Sequence, residues 1–586
     1  MKIKTNWNLK LLYSSDRDPE IEEDCRKAEA AHQAFAGKYA RRSDYLSDEK
    51  LLVQALADYT ALSDMALAKP ILYYSYRTDL DRSDHAAEGK LNLLTQRYAK
   101  SSNQVTFFTL AISQIKLEEQ VKFLKSSLLA PYRYFLKTLF RHGRHLLSER
   151  EEVILNLKHL PAYSLWVEGT EKQLSRSVVK WRGKKLPLAE AMETVRTLPT
   201  AERHKLDREI TAKLKELAPF AENELNAIVT DKKIEDDLRG FSSPEESIIL
   251  DYENDSATVQ NLVSVVSRNF HLSHRFYKLK AKMHGLKKLT YVDREARLRP
   301  KRKKAIPFPQ AVGLIQCALR SLDPIYGAMF DQFLQNGQID VYPRANKTSG
   351  AYCSSQEKLP VYILLNYLPN LDSVITLAHE LGHAFHSRLS ADKQPPLYRG
   401  YSTATAEVAS TFFENFVFEE IFARATPSGQ VTLLHDRIGG AVATIFRQIA
   451  CFNFELELHK QIREQGTLKA ESMAALMNKH MQSYLGPVFA LKPDDGYFFV
   501  HWYHLRRYFY VYSYAFGKLV SNALYSKYKM RAGVGEMIKK FLQAGGSASP
   551  EDIFNELGLN LKDPKFFELG LIKIEDDIEQ LEGLVK

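Results

Sequence analysis

Cysteine is scarce in this chain of 586 residues, and the few cysteines are far apart. They are Cys25, Cys317, Cys353 and Cys451, and no two of them form a CxxC pair. Such spacing argues against a disulfide framework and against a metal site made of thiolates. It is typical of a protein in a reducing compartment, so we expect a cytoplasmic location.

Long apolar segments are also missing from the sequence. No run of about 18 or more apolar residues is free of charge, so the sequence predicts no membrane-spanning helix. The N-terminal segment MKIKTNWNLKLLYSSD contains lysines but lacks the apolar core that secretory signals need. We therefore expect no membrane partner.

The positive charge of the chain is spread out rather than gathered on a recognisable binding motif. The formal net charge is +10 and the isoelectric point is near 9.0. The densest basic run, residues 297–304, contains Pro300 and precedes Pro307, which predicts an exposed connector. Because no nucleic-acid module accompanies it, we expect no nucleic-acid partner. A non-enzymatic basic protein that binds polyanions in a salt-sensitive way is the alternative.

The apolar periodicity predicts a mostly α-helical protein with one small β-sheet. The chain is too long for one ordinary core, so two or more lobes are expected. Helical spacing dominates the first 290 residues, and a short β-containing joint is predicted at 159–187. Apolar segments at 339–342, 349–353 and 361–366 predict the strands of one sheet, and helical sequence resumes at 371.

The motif that carries the chemistry is HExxH, formed by His379, Glu380 and His383. Histidines four residues apart lie on one face of a helix, so both imidazoles can reach a single Zn²⁺. Glu380 follows the first ligand and is placed to take a proton from a water molecule on the zinc. The apolar sequence at 374–378 favours a buried metal helix over one with two ordinary histidines.

Residues around the motif strengthen this interpretation. Gly382 would cost a helix about 1 kcal/mol relative to alanine, which is reasonable if another backbone approaches closely. Glu407 lies in a helical segment among small residues, and we predict it as the third ligand because a catalytic zinc commonly has three protein ligands. Glu414, on the same face, is either an acceptor for a ligand imidazole or a charged rim residue. His386 is interpreted as a packing residue or a second-layer partner.

A tyrosine-rich window follows much later in the chain. Five tyrosines and two histidines lie between residues 501 and 514. Peptide hydrolysis passes through an oxyanion that needs hydrogen-bond donors beyond the metal, and these side chains are suitable donors. On a continuous helix His504 would share a face with Tyr508 and Tyr512, and Tyr510 would share another with Tyr514. The alternative is an aromatic stripe that only packs in a core.

The segments that carry these residues match a known family as a set. They read KTSGAYC at 347–353, PVYILLN at 360–366, TLAHELGHAFHS at 376–387, AEVAST at 406–411 and FYVYSYA at 509–515. Together they resemble the M3 family of metallopeptidases, specifically its oligopeptidase F branch, which is related to thimet oligopeptidase and neurolysin. The resemblance covers roughly residues 220–520, whereas residues 1–200 share only helical character with the family.

The resemblance implies a mostly α zincin metallopeptidase in which two lobes flank a deep channel. It implies an N-terminal helical lobe at 1–200, a peptidase catalytic domain at 201–586 and one Zn²⁺ per chain at the channel floor. Substrates would be short unfolded peptides, cut at internal bonds. His379, His383 and Glu407 would bind the zinc, and Glu380 would be the general base.

The resemblance also assigns roles to residues outside the HExxH helix. His504 and a tyrosine of 508–514, for which Tyr512 is favoured, would stabilise the oxyanion. The pair Arg506-Arg507 is more basic than the family pattern. Pairing of the peptide backbone with the edge strand would give sequence-tolerant affinity. The residues expected to bind substrate are Gly350, Ala351, Tyr508, Tyr510 and Tyr514.

Two other enzymatic interpretations remain open at this point. One is another Glu-zincin, such as an aminopeptidase. In that group the third ligand commonly lies closer to the HExxH motif than it does here, where 23 residues separate His383 from Glu407. The sequence also lacks the GAMEN-like motif of such exopeptidases. An inactive relative is disfavoured because every ligand position is filled. The sequence leaves the oligomeric state and the preferred peptide undetermined, and two histidines with a glutamate accept several divalent ions.

Overall fold

Helices make up most of the chain, as the periodicity predicts. The computed structural model describes residues 3–63, 68–298, 305–356, 358–530 and 534–585, so most of the predicted basic connector at 297–304 lies outside the described residues. Among the helices of these ranges, none has both the length and the hydropathy needed to cross a bilayer.

The α-helices in chain order are α1 (Glu20–Tyr39), α2 (Glu49–Ser63), α3 (Ala68–Leu80), α4 (His85–Ser102), α5 (Thr106–Ser113), α6 (Leu117–Lys125), α7 (Arg133–Gly143), α8 (Glu149–His159), α9 (Leu165–Arg176), α10 (Leu188–Thr194), α11 (Thr200–Arg239), α12 (Glu246–Asp251), α13 (Ser256–Arg268), α14 (Phe270–Met283), α15 (Phe308–Leu322), α16 (Pro324–Asn336), α17 (Leu371–Lys393), α18 (Thr403–Ala423), α19 (Pro427–Ala441), α20 (Arg447–Gln465), α21 (Ala470–Leu485), α22 (Tyr512–Met530), α23 (Val534–Ala544), α24 (Pro550–Glu556) and α25 (Pro564–Leu584).

The strands of the described residues form two small sheets. They are β1 (Val178–Trp181), β2 (Lys184–Pro187), β3 (Ile339–Asp340), β4 (Tyr352–Ser354) and β5 (Tyr362–Leu364). β1 and β2 form an antiparallel hairpin, and its turn residues Arg182 and Gly183 have φ of 50° and 77°, as tight hairpin turns require. The second sheet has the order β3–β5–β4, with β3 parallel and β4 antiparallel to β5. Both sheets lie where the sequence predicts β structure.

The chain divides into two compact units, each assembled from three separated segments. Unit 1 comprises Met1–Arg144, Lys303–Ala423 and Lys527–Gly558, and unit 2 comprises His145–Arg302, Arg424–Ser526 and Leu559–Lys586. Neither unit coincides with the segments 1–200 and 201–586, because α9 and α10 belong to the same unit as α11. That division therefore stays a prediction about sequence segments, and the channel stays a prediction as well.

Unit 1 contains an aromatic core and a sheet held by the N-terminal segment. One cluster packs Phe35 and Tyr39 of α1 against Phe108 of α5. In a second cluster Trp7 packs on Tyr362 of β5, and the Trp7 indole N–H donates to the Ile363 carbonyl oxygen over 2.8 Å. Trp7 and Ile363 are 356 positions apart in the chain. The sheet that precedes the HExxH helix is thus held by the distant N-terminal segment.

Unit 2 is built around the 40-residue helix α11. One face of this helix is buried through residues such as Leu206, Leu225 and Ile228. It packs against α9, α20 and a 3-10 segment, Pro493–Val500. The C-terminal helix α25 covers α13, α14 and α19 of the same unit.

The close pair α17 and α18 in unit 1 positions the HExxH motif. α17 begins after Asn370, whose side chain accepts the Ser373 N–H over 2.9 Å. A Cβ placed on Gly382 would lie 2.5 Å from the Ser410 Cα and 2.9 Å from the Ala409 carbonyl oxygen. The predicted close approach of another backbone at Gly382 is confirmed.

Replacement of Gly382 by alanine is expected to destabilise the protein by about 2–3 kcal/mol, because the added methyl group overlaps the backbone of α18. Gly313 is the matched control. It is exposed inside α15, and a Cβ there would meet no atom within 4 Å. Gly313→Ala should therefore stabilise by about 0.5–1 kcal/mol. Denaturant unfolding of both variants measures the difference, and equal stability would contradict the close approach.

Candidate functional site

The two histidines of the HExxH motif point their rings at a common position. His379 and His383 lie one turn apart on α17, and their Nε2 atoms are 3.2 Å from each other. The ring centroids are 4.8 Å apart and the ring planes are nearly perpendicular. Burial, with the neighbouring His379, lowers the pKa of His383 to about 3. His383 is therefore a neutral imidazole near pH 7, which is the form that binds metal.

Glu407 enters the same site from α18. Its Oε2 lies 3.8 Å from His379 Nε2. One potential ligand atom from each of His379, His383 and Glu407 can be chosen so that all lie within 4.8 Å of one another. The helix starts after Ser402, whose hydroxyl accepts the Thr405 N–H over 3.4 Å. The structure thus brings together the three predicted ligands.

Glu414 approaches His379 from the other side of the ring. Its Oε1 is 2.7 Å from His379 Nδ1. A carboxylate can only accept, so Nδ1 carries the proton and Nε2 is left for a metal. Although burial opposes it, the hydrogen bond to Glu414 and the nearby carboxylates raise the pKa of His379. Of the two interpretations of Glu414, the structure favours the acceptor for a ligand imidazole.

Glu380 is buried beside the three candidate ligands. Only 7% of its surface is exposed. Burial and the charge of Glu407 raise the pKa of Glu380 to about 7, whereas His379 and the backbone N–H of Cys353 act in the opposite direction. Cys353 belongs to the edge strand β4, so the sheet contacts the HExxH helix at this carboxyl group. A carboxyl group that titrates near pH 7 is well suited to general base catalysis.

The other candidates in unit 1 lie close to these elements. Gly350 and Ala351 immediately precede β4, and the Gly350 carbonyl oxygen accepts the Asn366 side-chain N–H over 2.8 Å. Their role in binding substrate stays a prediction. The ring of His386 stacks on Tyr401 at 3.6 Å, and the residue is buried. His386 is therefore a packing residue of α17.

The tyrosine-rich window in unit 2 is not a continuous helix. Tyr503–Arg507 forms a 3-10 turn, and α22 begins only at Tyr512. Between them Tyr508 and Phe509 have φ of 46° and 45°, a region that side-chain-bearing residues rarely adopt. The two predicted helix faces are wrong, because these two residues break the helical path.

The broken path gives His504 different neighbours. Its Nδ1 is hydrogen-bonded to the Tyr510 hydroxyl, and its ring centroid lies 6.0 Å from that of Tyr514. Burial, with Arg447 and Arg507, lowers the pKa of His504 to about 4, so its imidazole is neutral near pH 7. A neutral imidazole has one N–H to donate.

The hydroxyl groups of Tyr512 and Tyr508 are hydrogen-bonded to other residues of unit 2. Tyr512 is fully buried, and its hydroxyl accepts the Asn254 side-chain N–H over 2.9 Å. The Tyr508 hydroxyl donates to the Ile228 carbonyl oxygen over 3.0 Å. Within this window, Tyr510 rather than Tyr512 contacts His504. The catalytic and substrate-binding roles of all four tyrosines stay predictions.

Comparisons with known proteins identify the family. The sequence profile of peptidase family M3 matches residues 200–571, and the profile described as oligopeptidase F matches residues 112–173. The chain belongs to peptidase family M3. Oligopeptidase PepF of Bacillus subtilis is 23% identical over 100% of this chain and 88% of its own length. Group B oligopeptidase PepB of Streptococcus agalactiae is 22% identical over 99% and 97% of the two chains.

Solved structures agree with the family M3 fold. A chain from Chlamydophila abortus described as a peptidase has a TM-score of 0.87 at 22% identity and covers 99% of this chain and 98% of its own. Oligoendopeptidase-F from Enterococcus faecium has a TM-score of 0.66 at 18% identity, with 97% of each chain covered. The predicted helix-rich zincin fold is thus confirmed, and the chain is a metallo-endopeptidase of family M3.

A catalytic metal is implied by the M3 family, and the donor set fits one. Two imidazoles and one carboxylate meet at one point, His383 is held neutral and the free Nε2 of His379 faces the same position. Three protein ligands leave a coordination position for water or substrate, as catalytic sites require.

Two buried glutamates that contact the tyrosine-rich window, Glu224 and Glu455, were not found by reasoning on the sequence. Glu224 is 282 positions from its partner Arg506, and Glu455 is 54 positions from its partner Phe509. The one available signal was the unusual pair Arg506-Arg507, of which Arg506 forms a buried ion pair with Glu224.

Removal of the Glu414 carboxylate is expected to weaken metal binding. Glu414→Ala should raise the metal dissociation constant by about 10–100-fold, because His379 loses the acceptor that fixes its ring and tautomer. Zinc titration of the metal-free protein against a competing chelator measures the effect. Glu556→Ala, at an exposed carboxylate of the same unit, is the control. Unchanged affinity in the Glu414 variant would show that this hydrogen bond is dispensable.

Proposed function

We propose that the protein hydrolyses internal peptide bonds of short unfolded peptides with one zinc ion held by His379, His383 and Glu407. The observation that carries the proposal is the convergence of these three side chains next to the buried Glu380, in a chain of family M3. Zinc suits two imidazoles and a carboxylate, and it leaves one position open for the reaction.

Glu380 is the general base of the proposed mechanism. When bound, zinc polarises the scissile carbonyl group and makes the attacking water more acidic. Glu380 takes the proton of that water and later delivers it to the leaving amine. Burial of Glu380 favours its protonated form, so the carboxylate readily accepts the proton of that water.

His504 and one tyrosine donate hydrogen bonds to the oxyanion in the proposed mechanism. The sequence favours Tyr512, but its hydroxyl is bonded to Asn254 in the interior. Tyr510 is hydrogen-bonded to His504, is only partly buried and is therefore our choice of partner. Tyr508, Tyr514, Gly350 and Ala351 are kept as substrate-binding residues.

The names of the relatives support the proposed substrate class, and the cysteines support the proposed location. The curated relatives carry the name oligopeptidase, which favours short peptides. No disulfide joins the four cysteines, all of which lie in the described ranges, and we propose the cytoplasm. We also keep 201–586 as the catalytic segment, since the family match starts at residue 200.

Glu380→Gln tests the general base. The variant should lose about 10²–10⁴-fold in kcat while it retains one zinc per chain, because the amide cannot take a proton but fills the same volume. Turnover of quenched fluorogenic peptides and metal analysis provide the two readouts. Glu556→Gln serves as the control variant. Normal turnover by zinc-loaded Glu380→Gln protein would exclude Glu380 as the base.

The reaction class is tested by product analysis with peptides of roughly 5 to 20 residues and with a folded protein. Internal cleavage of the peptides alone, abolished by chelator and restored by zinc, is the expected result. Stepwise release of single residues from one end would instead identify an exopeptidase. Cleavage that chelator leaves unchanged would contradict the metal centre.

A further inference from the structure

The backbone between the 3-10 turn and α22 follows an unusual path. Among the described residues other than glycine, Tyr508 and Phe509 are the only adjacent pair with positive φ. Each such residue is strained, and strain persists only where the surroundings determine the conformation. The segment joins His504 on one side to Tyr510 on the other, which are hydrogen-bonded to each other.

Glu455 of α20 is hydrogen-bonded to the backbone of this strained pair. Its Oε1 accepts the Phe509 backbone N–H over 2.8 Å, and both residues are buried. The Phe509 ring packs on Phe452 and His459 of the same helix, with centroids 5.8 Å and 4.6 Å away. Burial raises the pKa of Glu455 to about 8, although the Phe509 N–H and Lys232 oppose the shift. The carboxyl group is therefore mostly uncharged near pH 7.

A second buried glutamate fixes the preceding turn. Glu224 of α11 accepts from Arg506 Nε over 2.9 Å and from Arg506 Nη2 over 2.7 Å. Thr170 donates to the same carboxylate over 2.5 Å. The Tyr163 hydroxyl donates to the Arg506 carbonyl oxygen. The turn that carries His504 is therefore anchored two residues after that histidine.

Packing alone does not require a glutamate at position 455. An apolar side chain of similar size would fill the volume without the cost of burying a carboxyl group. Only a hydrogen-bond acceptor can pair with the Phe509 N–H, which would otherwise be buried and unpaired. This N–H lies one residue before Tyr510, where a change of backbone path would displace the tyrosine hydroxyl from His504.

We propose that Glu455 is a positioning residue, which holds the strained Tyr508–Phe509 backbone so that His504 and Tyr510 remain paired for their action on substrate. The inference rests on the proposed function of His504 and Tyr510. It adds a residue of α20 that acts only through the backbone of the tyrosine segment.

The first test compares Glu455→Gln with Glu455→Leu. Glutamine keeps an acceptor for the Phe509 N–H and is neutral like the native acid, so its kcat should stay within about threefold of the parent. Leucine keeps the volume but not the acceptor, and its kcat should fall by at least about tenfold with KM nearly unchanged. Bound zinc should remain at one per chain in both. Equal kcat in the two variants would overturn the proposal.

The second test probes the backbone path directly and remains available if Glu455→Leu fails to fold. Phe509→Gly and Phe509→Ala both remove the ring, but glycine adopts positive φ freely, whereas alanine is strained there. Phe509→Gly should therefore keep the native path, unfold at the same or a higher temperature than Phe509→Ala and have a kcat at least about threefold higher. A glycine variant no more active than the alanine variant would show that the positive-φ path is not needed.

His504→Ala and Tyr510→Phe distinguish failure of this inference from failure of the proposed function. If neither variant lowers kcat, the proposed roles of His504 and Tyr510 are wrong, and the positioning role falls with them. If both lower kcat while Glu455→Leu behaves like Glu455→Gln, only the positioning role is wrong. Loss of kcat in all three, with rescue by Glu455→Gln, is the expected result.

Discussion

The contact between α17 and α18 at Gly382 is the constraint on which the candidate metal centre depends. The two backbones approach so closely there that even a methyl group would overlap Ser410. Because of this approach, one helix supplies carboxylates to both nitrogens of His379. Glu407 lies 3.8 Å from Nε2, and Glu414 lies 2.7 Å from Nδ1. Seven residues of helix rise about 10.5 Å, which spans an imidazole ring with a carboxylate at each end.

The same geometry gathers carboxyl groups that repel one another. Burial raises the pKa of Glu380 and of Glu407, and each also feels the charge of neighbouring carboxylates. A divalent cation at the common point would favour the ionised form of Glu407 and offset this repulsion. The cluster is therefore poorly suited to a core without a metal, which agrees with the family to which the chain belongs.

The sequence could bring the three candidate ligands together because the determinants of that cluster are local. The spacing of His379 and His383, a glycine between them and small residues around Glu407 are all readable from short windows. The strands before α17 are likewise local patterns and lie where they were expected. The division into units is different, since each joins three segments that are distant in the chain. No local pattern specifies such contacts, and the boundary at residue 200 rests on the extent of the family resemblance alone.

The tyrosine segment, too, depends on contacts with residues that are distant in the chain, and so its path cannot be predicted from a local pattern. Its periodicity favours one helix, but Tyr508 and Phe509 leave the helical path because partners on α11 and α20 stabilise another. An apolar residue in place of Glu224 would remove the carboxylate that pairs with the buried charge of Arg506, and one in place of Glu455 would leave the Phe509 N–H without its acceptor. Buried acceptors of this kind add little net stability, but they make alternative backbone paths costly. Unit 2 therefore uses polar groups to specify where His504 and Tyr510 lie, whereas unit 1 positions its candidate metal ligands by the close packing of regular helices.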